Sequence, residues 1–340
     1  MKIGIIGLPG SGKTTVFEAL THNAVDEEVY KGEDRIGTIK VPDKRVDILS
    51  SMYNPKKTIY AQVVYLLSGM QSHNKDNVWN QVRDCDALIH VIRNFSGYGF
   101  EAQKPRDDFF SLEQEMIFAD LVVVEKRLER IELEKKRHRK IDQEELDLLA
   151  ECQKNLENEI SLRKNPDIAL TPCIKGFAFV SLKPMLVLFN NEDDDDVMPD
   201  LKDITSRESC MIIRGKLEQE LAQMSDEEAE DFLSEFNITA SAMDRVVSES
   251  YKLQGLVSFF TVGEDEVRAW TIKKETKALD AAEVIHSDIK KGFIRAEVVS
   301  FEDLISAGSY AEARKKGTVR LEGKTYEVKD GDIINFRFNV

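Results

Sequence analysis

The chain has 340 residues, 42% of them hydrophobic and 32% charged, which describes a globular protein with more chain than one core usually organises. Its formal net charge of −15 excludes general attraction to nucleic acid over the whole surface and leaves room only for local basic patches. No apolar run reaches the ~18 residues that a membrane-spanning helix needs, and the apolar start at Met1 reads as a strand rather than a cleavable signal, so a cytoplasmic location without a membrane partner is expected.

Lys2–Ile6 reads as a strand that runs into Gly7-Leu8-Pro9-Gly10-Ser11-Gly12-Lys13-Thr14, the pattern G-x-x-x-x-G-K-T, and Thr15–Leu20 then reads as a helix. The glycines permit backbone conformations that turn successive N–H groups inward, and the helix N-terminus adds partial positive charge, so the stretch is an anion nest. Residues Gly7 to Thr15 are the expected nucleotide contacts. Lys13 is expected on the β/γ-phosphates and the Thr14 hydroxyl on Mg²⁺.

The first helix should end near Thr21-His22-Asn23, and Ala24–Arg35 is polar, as a surface or nucleotide-switch loop would be. A strand is expected at Ile36–Val41, a helix opened by Pro42-Asp43 through Val46, Leu49 and Met52, and one further strand over Thr58–Leu67. Asn77–Cys85 suggests a helix, and Asp86–Arg93 a strand buried on both faces. Alternation of strands and helices predicts a doubly wound parallel sheet.

From Asp107 the texture changes. Ile117, Leu121, Val124, Leu128 and Ile131 step by four and three, as do Leu146, Leu149, Gln153, Leu156 and Ile160, so two helices with apolar seams should form an antiparallel coiled-coil hairpin turning near His138–Asp142. Its tip, Lys135-Lys136-Arg137-His138-Arg139-Lys140, fits either a solvated turn or a phosphate-backbone contact.

The sheet resumes at Lys183–Phe189 and ends in Asn190-Asn191-Glu192-Asp193. At such a strand end an Asn can pack the phosphate loop and a carboxylate three residues later can accept from guanine, although Glu192–Asp196 also fits a solvated acidic loop. Ser209–Ile213 and Leu217–Met224 continue as strand and helix, and Ser225 with Glu228 forms a capping box. Near the C-terminus, strands are expected at Gly292–Ser300, Tyr326–Val328 and Ile333–Phe338, with a helix at Phe301–Ser306. Cys85, Cys152, Cys173 and Cys210 lack metal-ligand spacing and read as reduced thiols packed as small hydrophobes.

The chain resembles the YchF family, the Obg-like ATPases within the Obg group of translation-factor-class P-loop NTPases. The residues that carry this are Gly4–Pro9 with Gly12-Lys13-Thr14, Val41-Pro42-Asp43, Ala119-Asp120-Leu121, Val124–Arg130, Gly263–Thr271, Ile285–Asp288, Gly292–Val298, Leu321–Lys324, Asp330-Gly331-Asp332 and Phe336–Val340. The resemblance implies a Ras-like nucleotide domain (1–106 and 171–275), a coiled-coil insertion (107–170) and a C-terminal β-grasp TGS domain (276–340). It also implies binding of ATP or GTP with Mg²⁺, hydrolysis, and association with the ribosome or RNA through the hairpin tip and the TGS domain.

Two departures bear on catalysis. Where the family has D-x-x-G, with the Asp supporting Mg²⁺, this chain has Leu66-Leu67-Ser68-Gly69, and a family Thr that closes over Mg²⁺ aligns with Lys31. Losing both should slow phosphoryl transfer, which is mostly positioning and charge stabilisation around the metal. Asn190 is the expected loop-packing residue and Asp193 stands at the guanine-reading position, yet the family often shows N-x-x-E there, so the expectation leans to ATP. Either a slow ribosome-associated NTPase or a hydrolysis-deficient ribosome- or RNA-binding module with a sensory nucleotide site satisfies these residues.

Overall fold

The computed structural model describes residues 1–21, 34–69, 75–97, 102–235 and 241–339, so Lys31, with the rest of residues 22–33, and Val340 lie outside the described residues. Along the chain the strands are β1 (Lys2–Ile6), β2 (Arg35–Lys40), β3 (Lys57–Ile59), β4 (Gln62–Leu67), β5 (Ala87–Asn94), β6 (Met185–Asn191), β7 (Ser209–Ile213), β8 (Leu256–Val262), β9 (Glu266–Lys273), β10 (Phe293–Ser300), β11 (Arg320–Glu322) and β12 (Asp332–Phe338). Helices that bear on the argument are α1 (Lys13–Thr21), α2 (Lys44–Tyr53), α3 (Lys75–Val82), α4 (Pro105–Lys136), α5 (Gln143–Glu157), α6 (Gly215–Leu221) and α7 (Ala278–Ile285). Two compact units result, one of Met1–Ile39 with Val64–Val246 and the other of Lys40–Val63 with Val247–Val340.

The first unit carries a sheet in the order β2-β4-β1-β5-β6-β7. β1 runs parallel to β4 and β5, β5 to β6, and β6 to β7. Parallel strands need crossovers that place helices on the faces, which is why β6 is buried along its whole length and β5 along its first six residues. Ile6, Leu66, Leu88, Ile92, Phe109, Met116 and Phe189 belong to one apolar cluster. The doubly wound α/β reading of the sequence therefore holds.

α4 and α5 form the expected helical hairpin. Ile117, Val124 and Ile131 of α4 are buried with Leu148, Leu149, Cys152 and Leu156 of α5, and the Arg127 guanidinium holds both Glu145 oxygens at 2.7 Å. The seam on α5 differs from the sequence reading. Leu148 and Cys152 fill it, Gln153 is only half-buried, and Ile160 lies beyond the helix and is 43% exposed. Cys152 in place of Gln153 completes the three-and-four stepping with Leu149 and Leu156, and Leu148 adds an i, i+4 neighbour of Cys152 beside it.

Two buried polar clusters tie the base of α4 to the rest of the unit. Asp120 of α4 is fully buried and accepts from the backbone N–H groups of Val180 (3.0 Å) and Ser181 (2.7 Å) while pairing with Arg83 at 3.1 Å. Glu113 accepts from Arg163 Nη2 at 2.8 Å to both oxygens, and Arg163 also reaches Glu208 at 2.9 Å. Burial alone would raise the Glu113 carboxyl, but the adjacent Arg163 charge and hydrogen bonds outweigh it and hold Glu113 below the usual range. A depressed folded-state pKa adds stability that is present above the unfolded value, ~4.3, and is lost as pH falls through the folded one. The fall in thermal midpoint between pH 7 and pH 4 should accordingly be smaller in Glu113→Gln than in the wild type, as scanning calorimetry would record.

The second unit carries a mixed sheet in the order β11-β10-β12-β8-β9-β3. β10 is antiparallel to β11 and β12, and β8 to β9, while β12–β8 and β3–β9 are parallel. α7 buries Ala278, Ala281 and Ala282 with Phe259, Phe293, Val298 and Phe336. β8 and β9 therefore pack with the C-terminal strands, and the compact units divide the chain at other positions than the boundaries drawn on the sequence.

Two strand expectations need correction. Thr58–Leu67 is two strands in different sheets, with β3 largely exposed and β4 largely buried. β3 pairs with β9 and β4 with β1, and Ala61 between them accepts from Val41 N–H at 2.8 Å. At Tyr326–Val328 the pairing is a single bridge of Glu327 to Lys277, made by Ala278 N–H on the Tyr326 carbonyl and Val328 N–H on the Thr276 carbonyl. The third outer strand is β11, whose exposed, charged Arg320–Glu322 gives no apolar alternation. All four cysteines are free, and Cys85 and Cys152 are buried as expected, but Cys173 is exposed.

Candidate nucleotide site

The strand-to-helix turn at the carboxyl end of β1 is built as the sequence requires. Gly7 has φ +155°, and a Cβ there would stand 2.4 Å from the Val91 carbonyl. Gly12 has φ +90°, and its Cβ would meet the Asn190 amide nitrogen at 2.2 Å. Side chains at either position are excluded by backbone shape and by space. α1 begins at Lys13, and Val16 N–H closes its first turn onto the Gly12 carbonyl at 2.9 Å.

Asn190, at the end of β6 and 4% exposed, is the bolt of this site. Its Nδ2 donates to the Ser11 carbonyl (3.1 Å), and its Oδ1 accepts from Gly215 N–H (2.9 Å) at the start of α6. One amide thus joins the phosphate loop to the start of α6. Gly215, a partner the sequence reading did not single out, is small because a Cβ there would lie 2.7 Å from the same Oδ1. No local signal announces it, since its only constraint is a residue 25 positions away.

The neighbouring acceptors are occupied differently. Asn191 is buried and spans Asn94 and the Val197 carbonyl, at 2.9 and 3.0 Å. Glu192 accepts from Ser96 N–H, and Asp193 Oδ1 from Leu217 N–H at 3.3 Å. Asp193 stays at the carboxyl end of β6 beside Asn190, where an α/β sheet places ligands. His90, by contrast, is fully buried and stacked on Phe109, and burial pushes its pKa down to about 3, so it is an uncharged core residue.

Lys13 Nζ donates to the Leu8 carbonyl at 2.9 Å, inside its own loop, and burial pushes its pKa down to about 8. Ser11 Oγ is buried with no partner among the described residues, and Thr14 is exposed at the first turn of α1. A cation at the edge of its charged range, an orphaned hydroxyl and a helix N-terminus together fit polyphosphate. Bound phosphate would draw Lys13 back to full charge, so nucleotide binding at pH 8 should take up about half a proton, and affinity should fall as pH rises through about 8. Calorimetric titrations in two buffers of different ionisation enthalpy will count that proton, and Lys13→Arg should abolish the uptake.

For Mg²⁺ the residues fit in part. Thr14 offers a hydroxyl, and Mg²⁺ ordinarily needs only one or two side chains beside phosphates and water. Leu66, in contrast, is 2% exposed in the core and offers no acceptor. No cluster of three or more His, Cys, Asp or Glu able to hold a metal occurs among the described residues.

A phosphate loop bolted to the end of another parallel strand of the same sheet defines the class, an α/β P-loop nucleotide-binding protein. Residues 256–339 match the family model YchF-GTPase_C, described as a protein of unknown function. Over 99% of both chains this protein is 35% identical to the ribosome-binding ATPase YchF of Bacillus subtilis. It is 33% identical to the protein of the same name from Escherichia coli O157:H7, over 100% of this chain and 99% of that one. The Schizosaccharomyces pombe YchF GTPase structure superposes with a TM-score of 0.84 at 26% identity, covering 99% of this chain and 97% of the other. The chain belongs to the YchF family. No helix among the described residues is long and apolar enough to cross a membrane.

Proposed function

We propose that the protein is a cytoplasmic nucleotide-regulated NTPase that associates with the ribosome or RNA, binding ATP or GTP with Mg²⁺ through Gly7–Thr15 and Asn190. The observation that carries this is the Asn190 amide, which spans Ser11 and Gly215 and fixes the phosphate loop. The relatives' printed names, ribosome-binding ATPase and GTPase, support the same reading. Lys13 would neutralise the β/γ-phosphates and Thr14 would hold the metal. When bound, Mg²⁺ would offset the charge that develops on the transferred phosphoryl group.

Hydrolysis should be slow, because Leu66 lies in the core and cannot support a metal-bound water. The same observation favours a second reading, a hydrolysis-deficient binding module whose nucleotide site is sensory. Turnover by purified protein beside a Lys13→Ala control separates the two, since robust Lys13-dependent turnover removes the second. For the base we lean to ATP by kinship, with Asp193 the residue that would favour guanine. A competition titration that shows a GTP preference lost in Asp193→Ala reverses that lean.

The ribosome contact would use the coiled-coil tip, Lys135, Lys136, Arg137, Arg139 and Lys140, and the TGS-type C-terminal sheet. Sedimentation with ribosomes under ATP, ADP and no nucleotide, across a salt series, is the experiment. Replacing residues 135–140 by Ser should weaken binding and flatten its salt dependence, whereas unchanged binding rejects the tip as the contact.

A further inference from the structure

We propose that Asp34 is the carboxylate that supports hydrated Mg²⁺ at the phosphate loop, in the place that Leu66 leaves without an acceptor. This rests on the reading of the site as one for Mg²⁺–nucleotide.

Three placements converge on Asp34. The parallel register of β1 and β4 ends with Ile5 opposite Leu67, so Gly69, two residues beyond Leu67, leaves the sheet at the same end as the phosphate loop, which begins two residues beyond Ile5. Gly69 N–H donates to Asp34 Oδ1 at 3.0 Å, so this carboxylate stands at the loop end of β4. The next residue, Arg35, holds Glu18 through both terminal nitrogens at 3.2 Å and lies over the Phe17 ring at 4.8 Å. Glu18 follows Thr14 by four residues on α1, hence on the same helix face one turn along. Asp34 is bracketed between the strand that opens beside the loop and the helix face that carries Thr14.

Its chemistry suits the role. Oδ1 is oriented by a backbone N–H, as metal-supporting carboxylates generally are. Oδ2 has no partner among the described residues, and Asp34 is exposed, so that oxygen is free to accept from a metal-bound water. Mg²⁺ keeps several waters and is commonly held through one or two carboxylates and the substrate phosphates. Leu66 sits on the same strand three residues before Gly69 but points into the apolar core.

The test compares full-length wild type with Asp34→Asn, which keeps an amide oxygen for Gly69 N–H and removes only the charge. Dissociation constants of fluorescent ADP and GDP are measured in Mg²⁺ and in EDTA, and Mn²⁺ affinity is read by electron paramagnetic resonance on the nucleotide-saturated protein. The Mg²⁺/EDTA affinity ratio and the Mn²⁺ affinity should both fall by about tenfold or more in the variant, with an unchanged thermal melt. Wild-type ratios in the variant overturn the proposal. A wild-type protein that binds neither nucleotide overturns the proposed function itself, and that outcome is distinct.

Discussion

Asn190→Ala should weaken nucleotide binding by about 100-fold and lower folding stability by ~2–4 kcal/mol, since an orphaned buried hydrogen-bonding group costs ~1–3 kcal/mol. One amide serves two elements that are remote in sequence, the Ser11 carbonyl in the phosphate loop and the Gly215 N–H that begins α6. Truncation strands both and frees the loop, so binding must also bear the cost of ordering it. Fluorescent-nucleotide titration and urea denaturation measure the two losses. Gly12→Ala should fail from the opposite direction, because its Cβ would stand 2.2 Å from the same Nδ2. In the double variant that clash is relieved and only the strain of φ +90° remains. The penalties should therefore be less than additive, a coupling expected of residues in contact. Additive losses would mean that Asn190 and Gly12 act on binding independently.

Asp120→Ala should cost ~3–5 kcal/mol, the usual result of removing one partner from a buried ion pair. Asp120 is 0% exposed, and its loss leaves the Val180 and Ser181 N–H groups unpaired and Arg83 short of a counter-charge. Replacing Arg106, whose pair with Asp203 is 58% and 38% exposed, should cost less than ~1 kcal/mol. The contrast matters more than either value. Both changes remove a salt bridge from the same helix, and what separates them is burial together with the two backbone N–H groups that Asp120 holds. Midpoints of urea unfolding at constant m-value report the difference.

Legibility in the sequence tracked the range of the physical constraint. The phosphate loop could be read residue by residue because its chemistry lies in eight consecutive positions, Gly7 to Thr14. β5 and β6 could be read because two-sided burial writes a continuous apolar run. The capping box at Ser225 was equally local, and Glu228 accepts from Ser225 N–H at 2.9 Å. What escaped was set at a distance. Gly215 is fixed by Asn190, the β3–β4 break by the pairing of β3 with β9 in the other sheet, and the place of Asp34 by a strand end 35 residues on. The hairpin fell between these cases, since its helices were legible and its seam was displaced by Leu148 and Cys152.

The excursion from Lys40 to Val63 has a consequence for anyone who would cut or transplant this protein. Its strand β3 is hydrogen-bonded to β9 as the border of the C-terminal sheet, yet it is translated between β2 and β4 of the nucleotide-binding sheet. Residues 256–339, which a family model treats as one piece, are thus a module missing its own margin. A fragment that starts at Val247 would expose the N–H and C=O groups of β9 along that side, the kind of open border that recruits other strands and aggregates. A fragment that stops at Val246 would carry α2 and β3 with nothing to pair. Excising the second unit intact takes three cuts, before Lys40, after Val63 and before Val247.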